Sequence, residues 1–185
     1  MSEKENLTTK KTFALAFQHH KKNNFQTAEK LYKQILEMEP DHVEANFHLG
    51  TLSVQTRNFD RAKQLLNKTI QINSNHVDAH NNLGIVLKEL GEYQKAIGCY
   101  EKAIQINPNH ASVHSNLGLV FHELNEFEKA KSCYEKLLNL DPTNKKGCSN
   151  YGNLLLKITQ HNKGLAYIRK GDGVIRFTQK DVKII

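Results

Sequence analysis

The sequence predicts an all-α solenoid of about five helix hairpins, and three columns of residues at a 34-residue period support this prediction. All three prolines fall on one grid, with Ser74 at its missing point. Small and aromatic residues repeat at the same spacing: Ala16, Gly50, Gly84, Gly118 and Gly152 in one column, and Phe25, Phe59, Tyr93, Phe127 and finally His161 in the other. Several columns in phase over five periods are the signature of a repeat architecture.

The period divides the chain into four regular repeats, a degenerate fifth and two terminal segments. The repeats span residues 9–42, 43–76, 77–110, 111–144 and 145–178, with a flexible N-terminus at 1–8 and a basic tail or cap at 172–185. In the third repeat, apolar residues recur at helical spacing on both sides of a break at Gly91-Glu92, and Pro108 ends the second helix. Asp41 and Asn75, each followed three residues later by an acid, are the predicted N-caps.

The repeat pattern resembles that of the tetratricopeptide repeat. The third repeat carries the match with Leu83-Gly84, Ala96, Tyr100, Ala103 and Pro108, and the fourth repeats most of it. The fifth departs furthest, with Gly164 and Gly171 where alanines are usual. The resemblance implies a right-handed superhelix whose concave side is lined by the first helix of each hairpin. It implies little about function, because this scaffold serves many functions.

A column of asparagines on the predicted concave side gives the candidate binding residues. Asn82, Asn116 and Asn150 each precede the Leu-Gly or Tyr-Gly pair of a repeat, where the second repeat has His48 and the first Ala14. An asparagine amide offers an acceptor and two donors, which suit both groups of a peptide bond. Helices pack about 8–10 Å apart and an extended strand advances about 3.3 Å per residue, so one asparagine meets about every third peptide residue.

The sequence therefore predicts an asparagine ladder that holds a peptide backbone. Side chains of the peptide would be selected by neighbours on the same face, namely His48, Lys88 and His122. Phe13 and Phe17, one turn apart in the first repeat, either form an apolar pocket for a ligand side chain or are buried beneath the N-terminal segment. A merely solvated inner face is the alternative to peptide binding.

The asparagine column also resembles the tetratricopeptide arm of O-linked N-acetylglucosamine transferases, an arm that holds protein substrates in this way. The strings HNNLG (80–84) and HSNLG (114–118) strengthen the match. This resemblance implies an alternative function, a substrate-recruiting arm of a protein-modifying enzyme whose catalytic part is absent from this chain. The Lys, Asn and Arg set with which other members of the repeat family grip a C-terminal carboxylate is absent as a set.

No pattern in the sequence predicts catalysis, a metal site or a cofactor. The chain has no GxSxG motif, phosphate-binding glycine loop or dinucleotide fingerprint. His76 and His80, like His110 and His114, have a spacing that can bind a metal from a helix. Both pairs nevertheless follow the repeat period, and no carboxylate or cysteine completes them. We therefore expect a non-catalytic protein-protein interaction module.

The charge is concentrated at one end. Residues 1–144 are neutral in sum, and the formal net charge of +7 lies entirely in residues 145–185. Two short β-rich runs there, Val174–Thr178 and Val182–Ile185, predict a small hairpin. This tail either seals the last hairpin or offers a basic docking edge for an acidic partner or for more chain, since an Ile184-Ile185 end suggests the front of a longer polypeptide.

The remaining expectations concern partners and location. No apolar run is long enough to span a membrane, and the polar start lacks the features of a secretory signal, so a cytoplasmic protein is expected. Aromatic residues do not interleave with a basic stripe, which makes nucleic acid an unlikely partner. A protein or peptide is the expected partner, and self-association through open ends of the superhelix is a further possibility.

Overall fold

The computed structural model describes the backbone of residues 3–173, 175–177 and 182–184 and the side chains of residues 7–173. This part of the chain contains ten α-helices, which confirms the predicted all-α class. The helices are α1 (Glu3–Lys21), α2 (Phe25–Met38), α3 (Val43–Gln55), α4 (Phe59–Ile72), α5 (Val77–Glu89), α6 (Tyr93–Ile106), α7 (Ala111–Glu123), α8 (Phe127–Leu140), α9 (Lys145–Lys157) and α10 (His161–Asp172).

The helices pair as five antiparallel hairpins, one for each repeat, and fall into two compact units. Unit 1 is Met1–Ile106 and contains α1 to α6, and unit 2 is Asn107–Ile185 and contains α7 to α10. Within unit 1, the second helix of a hairpin packs on the first helix of the next, and the first helices also contact one another. In unit 2, α8 packs on α9 in the same way, and α7 contacts α9. In each unit, we call the side of the first helices that carries residues 14, 48, 82, 116 and 150 the first-helix face.

Small residues allow the two helices of a hairpin to pack closely, as predicted. The alanines at 28, 62, 96 and 130 are fully buried. A β-carbon at Gly84 would lie 2.5 Å from Cε1 of the buried Tyr100, and one at Gly118 would lie 2.8 Å from Cε1 of Tyr134. Real β-carbons essentially never come that close to another atom, so these positions admit only glycine without rearrangement.

The turn inside each hairpin uses a left-handed residue at a fixed point of the repeat. These residues are Asn23, Arg57, Gly91, Asn125 and Thr159, with φ of 58°, 58°, 76°, 59° and 64°. Left-handed backbone is unstrained for glycine, is tolerated by asparagine and is strained for most other residues, most of all for a β-branched one such as threonine. The predicted break at Gly91-Glu92 is therefore the glycine example of a turn that all five hairpins share.

The predicted N-caps are wrong by one residue. Helices α3 and α5 are capped by His42 and His76, whose Nδ1 atoms accept the backbone N–H of Ala45 and Ala79 at 3.2 Å. Asp41 and Asn75 precede these caps. An imidazole nitrogen reaches the third residue of the helix as an Asn or Ser oxygen does, so histidine performs the capping here.

Both terminal segments differ in detail from their predictions. Helix α1 begins at Glu3, inside the segment 1–8 that was expected to be flexible, because no proline or glycine interrupts the sequence there. At the other end, β1 (Ile175–Phe177) pairs antiparallel with β2 (Val182–Ile184), which confirms the small hairpin. Val174, residues 178–181 and Ile185 lie outside the described residues, and the sealing role of the tail stays a prediction.

Candidate functional site

The predicted asparagine column occupies one structural position. Asn82, Asn116 and Asn150 are each the sixth residue of a 13-residue first helix, and His48 holds the same place in α3. All four side chains are half-buried. Ala14, the corresponding residue of α1, is exposed. The repeat period therefore places the amides at equivalent points of the first helices in each unit.

In unit 1, Asn82 is oriented by its neighbours. Its Nδ2 donates to Thr51 Oγ1 at 3.1 Å, and its Oδ1 accepts a longer bond of 3.4 Å from Asn81 Nδ2. An amide group has two N–H donors and two acceptor lone pairs, so one of each remains for a ligand. Thr51 belongs to the preceding hairpin, and the repeat pattern does not predict this contact.

In unit 2, the amide of Asn150 is less satisfied. Its Nδ2 is shielded from solvent and has no hydrogen-bond partner among the described residues. A buried donor without an acceptor costs about 1–3 kcal/mol, which an acceptor reached by a small rotation of the amide would recover. Asn116 lies at the same point of the neighbouring helix α7.

His48 is enclosed by other rings. Its centroid lies 5.0 Å from that of Phe17, 5.6 Å from that of Phe13 and 6.0 Å from that of Tyr32. Burial, and to a smaller extent the nearby imidazoles of His20 and His76, lower the pKa of His48 to about 4. The ring is therefore neutral at physiological pH and behaves as part of an aromatic wall.

Phe13 and Phe17 pack among other rings of α1 and α3, and the two alternatives for them, a ligand pocket or burial beneath the N-terminal segment, stay predictions. Phe13 stacks on His42 at 5.6 Å, and Phe17 stacks on Phe13 at 6.3 Å. Phe17 also lines an open cleft of about 320 Å³ beside His48. Both side chains are half-buried.

Lys88 lies in a chain of charges. Its Nζ is 2.8 Å from Oε1 of Glu89, and Oε2 of Glu89 is 3.6 Å from Arg57. The hydrogen bond from Lys88 and, to a smaller extent, the charges of Lys88 and Arg57 lower the pKa of Glu89. An acidic peptide side chain would therefore have to compete with Glu89 for Lys88.

His122 lies in a small group of unit 2 with Phe127 and Lys157. Its ring is 6.0 Å from that of Phe127, over which the Lys157 ammonium lies at 5.3 Å. Burial, and then the positive charge of Lys157, lower the pKa of His122, while the charge of Glu123 opposes them. Its Nε2 is shielded and has no hydrogen-bond partner among the described residues. Sequence reasoning missed Lys157, although it lies two turns after Asn150 on the same helix.

The histidine pairs have structural roles. His80 Nε2 bonds the carbonyl of Ser74 at 3.0 Å, and His114 Nε2 bonds that of Pro108 at 2.9 Å, which ties each first helix to the turn before it. Within the described residues, no group of three or more His, Cys, Asp or Glu is placed to hold a metal ion.

The three cysteines are placed as packing residues. Cys148 is buried, and Cys99 and Cys133 are half-buried. Desolvation raises the pKa of all three thiols, to about 11 for Cys133. A thiolate is the nucleophilic form, so none of these environments activates a cysteine.

Similarity to solved structures is extensive. A crystal structure of MamA matches with a TM-score of 0.76 and 25% identity over 84% of this chain and 91% of its own. PilF of Pseudomonas aeruginosa matches with a TM-score of 0.84 and 21% identity over 95% of this chain and 80% of its own. YrrB, described as a TPR protein with an unusual peptide-binding site, matches with a TM-score of 0.69 and 20% identity over 86% and 82%.

Family models give the same result from sequence alone. Two models of the tetratricopeptide repeat match this chain, one at residues 77–110 and 111–144 and the other at 19–83, which together exceed half of its length. No curated protein matches it significantly in sequence. In the part that the structure describes, no helix is long and apolar enough to cross a bilayer. Proteins built of this repeat are generally non-catalytic scaffolds. The chain belongs to the tetratricopeptide repeat family and is a protein-interaction module.

Proposed function

We propose that the first-helix face binds extended segments of a partner protein by their backbone. Asn82 would serve in unit 1, and Asn116 and Asn150 in unit 2. His48, Lys88 and His122 would contact the side chains of the bound segment. A face of this kind binds peptides of many different sequences and selects side chains at only a few of their positions.

One observation carries the proposal: the amides recur at the sixth residue of α5, α7 and α9, and those of Asn82 and Asn150 keep hydrogen-bonding capacity. Asn82 has a donor and an acceptor to spare, and Asn150 has a donor with no partner. Both halves of a peptide bond find their complement in an amide. YrrB shows that a peptide-binding site exists on a protein of similar fold.

The expected energetics set the design of the test. A single hydrogen bond contributes about 0.5–1.5 kcal/mol net, so one asparagine changes affinity only a few-fold. Within unit 2, Asn116 and Asn150 together amount to roughly 1–3 kcal/mol, or at least about fivefold in the dissociation constant. The informative variant therefore replaces Asn82, Asn116 and Asn150 by alanine at once.

The probe is a fluorescein-labelled 12-residue peptide, selected on the wild-type protein from a phage-displayed random library. Fluorescence anisotropy should show at least about fivefold weaker binding to the triple variant, which removes the amides of both units. The matched control replaces three exposed asparagines of second helices, Asn67, Asn139 and Asn162, and should bind as wild type. Equal affinities of the two triple variants would refute the asparagine ladder. A library that yields no binder would refute peptide binding altogether.

The basic end of the chain supports a separate proposal about partners. Unit 2 carries exposed cationic side chains on α9 and α10: Lys145, Lys146, Lys157, Lys163, Arg169 and Lys170. Such a patch attracts acidic surfaces, with an affinity that falls as salt rises. An acidic partner segment that binds here should weaken strongly between low and physiological salt, whereas backbone binding at the amides should change little.

A further inference from the structure

The cleft beside His48 is built on the first-helix face of unit 1. Its volume of about 320 Å³ is at the lower end of the range for small-ligand pockets, and it opens to solvent. We call it the α1–α3 cleft. Its lining residues come from α1, the turn after it and α3: Phe17, His20, Lys21, Asn23, His48, Thr51 and Gln55.

The aromatic rings that line the cleft would contact a ligand mainly through their apolar surfaces and less through hydrogen bonds. His20 uses both ring nitrogens within the protein, Nε2 with Gln55 at 2.9 Å and Nδ1 with the Tyr32 hydroxyl at 3.4 Å. His48 lies at 59° to the ring of Phe17 and at 84° to that of His20. Tilted and edge-to-face arrangements of this kind are the ones that aromatic rings favour, so the cleft suits a further ring.

The cleft adjoins the amide that would hold the peptide backbone. Thr51 lines the cleft, and its Oγ1 is the atom that accepts the hydrogen bond from Asn82. The same hydroxyl donates to the carbonyl of Phe47 at 3.0 Å, which fixes its position. A peptide bound at Asn82 therefore passes the mouth of the cleft within a few residues.

Lys21 is the one lysine, arginine or carboxylate residue among those that line the cleft, and the Glu44 carboxylate lies 3.8 Å from Nε2 of His48. The Lys21 ammonium lies 4.5 Å from the centroid of Phe17. From residue 7 to residue 24 the chain contains four lysines and no carboxylate. An acidic residue next to the inserted ring would therefore find a complementary charge at the cleft.

We propose that the α1–α3 cleft binds an aromatic side chain of a partner segment, with a neighbouring acidic residue of that segment at Lys21. This inference rests on the proposed peptide binding and adds its specificity. Full burial of a large apolar side chain corresponds to roughly 10- to 100-fold in affinity. The acidic neighbour contributes less, because its partner is exposed.

The first test changes the peptide, so that the protein stays wild type. Binders selected from the 12-residue library should share an aromatic residue beside an acid, and replacing that aromatic by alanine should weaken binding roughly 10- to 100-fold. Selected binders without an aromatic residue would overturn the cleft inference and leave backbone binding standing. Only the absence of any binder would remove both.

The second test asks whether the aromatic side chain of the peptide contacts Phe17 in the cleft. Phe17→Ala should remove most of the affinity that the peptide aromatic supplies, and the two changes together should cost little more than either alone. Phe59→Ala, a half-buried phenylalanine of α4 outside the cleft, is the matched control and should retain the full effect of the peptide change. Circular dichroism checks that both variants are folded, and equal behaviour of the two would overturn the inference.

A charge reversal completes the test. Lys21→Glu should weaken binding of the acidic peptide several-fold, and the loss should shrink at high salt. Lys22→Glu makes the same change one residue later, at an exposed site that does not line the cleft. Equal losses for both variants would mean that only overall charge matters and would overturn the assignment of Lys21.

Discussion

Three glycines of the third hairpin should respond differently to one substitution. A β-carbon at Gly84, within α5, would lie 2.5 Å from the Tyr100 ring. Gly91, in the turn, has a φ of +76° and open space around it. Gly98, within α6, has open space and helical backbone. Replacing each by alanine therefore separates the effects of contact, backbone strain and helix propensity.

The magnitudes follow from these environments. Alanine is better than glycine inside a helix by about 0.5–1 kcal/mol, so Gly98→Ala should stabilise the protein by that amount. Gly91→Ala should cost about 1–2 kcal/mol, because a left-handed residue with a β-carbon is strained. Gly84→Ala gains propensity but forces the fully buried Tyr100 to move, and overpacking costs roughly 1–3 kcal/mol.

Urea unfolding followed by circular dichroism at 222 nm measures the order of the variants. Repeat proteins can unfold in stages, so the comparison uses transition midpoints of variants in the same hairpin. The midpoint should rise for Gly98→Ala and fall for Gly84→Ala and Gly91→Ala. A Gly84→Ala variant as stable as Gly98→Ala would show that the helices do not pack as closely as the structure has them.

Other side chains give further expectations for stability. Tyr151→Phe removes a 2.6 Å hydrogen bond to the Glu135 carboxylate and should lower the free energy of unfolding by about 1–2 kcal/mol. Tyr134→Phe removes a buried hydroxyl that has no partner among the described residues, so it should not lower the urea midpoint. Asn144→Ala loses the cap of α9 and should cost about 1 kcal/mol by the same measurement. Because the pKa of His48 is lowered to about 4, the unfolded chain binds more protons as pH falls from about 6.5 to 4, and stability should fall by about 3 kcal/mol over that window. His48→Gln should remove this loss in thermal melts at each pH, and the exposed His161→Gln should retain it.

The fold could be predicted because its determinants repeat. Gly84 meets Tyr100 within a hairpin, and the same contact recurs 34 residues later between Gly118 and Tyr134. Each column therefore reports a local contact several times over. Helix boundaries follow from the same period to within a residue or two.

The details that escaped prediction have no such redundancy in residue type. Only Gly91 among the five left-handed turn residues is a glycine. The left-handed turns at the Asn, Arg and Thr positions could not be predicted, because these residue types do not indicate a positive φ. The caps were missed because His42 and His76 act in place of the usual Asn, Ser or Asp. At the turns and caps, the repeats keep the backbone conformation at a fixed position while the residue type varies.

The candidate site was predicted in part. The period placed Asn82, Asn116 and Asn150 on equivalent positions, but their hydrogen-bond environments differ and depend on neighbouring hairpins. Thr51 and Lys157 entered only with the structure, since contacts between hairpins leave no trace in the repeat pattern. The ladder and the likeness to a glycosyltransferase arm both depend on the same three residues and stay predictions.

The contrast between constant and variable positions bears on specificity. Columns that pack inside a hairpin keep one kind of residue, small or aromatic, in most repeats because they meet similar neighbours each time. On the first-helix face, the position three residues after the amide changes at each repeat, from Phe17 to Thr51, Ile85, Leu119 and Asn153. Packing does not require this variation, since the hairpins are otherwise alike. An amide column in the last three repeats beside a variable column suits a face that holds a backbone and selects side chains, and the α1–α3 cleft lies where the variable position contributes its one ring, Phe17.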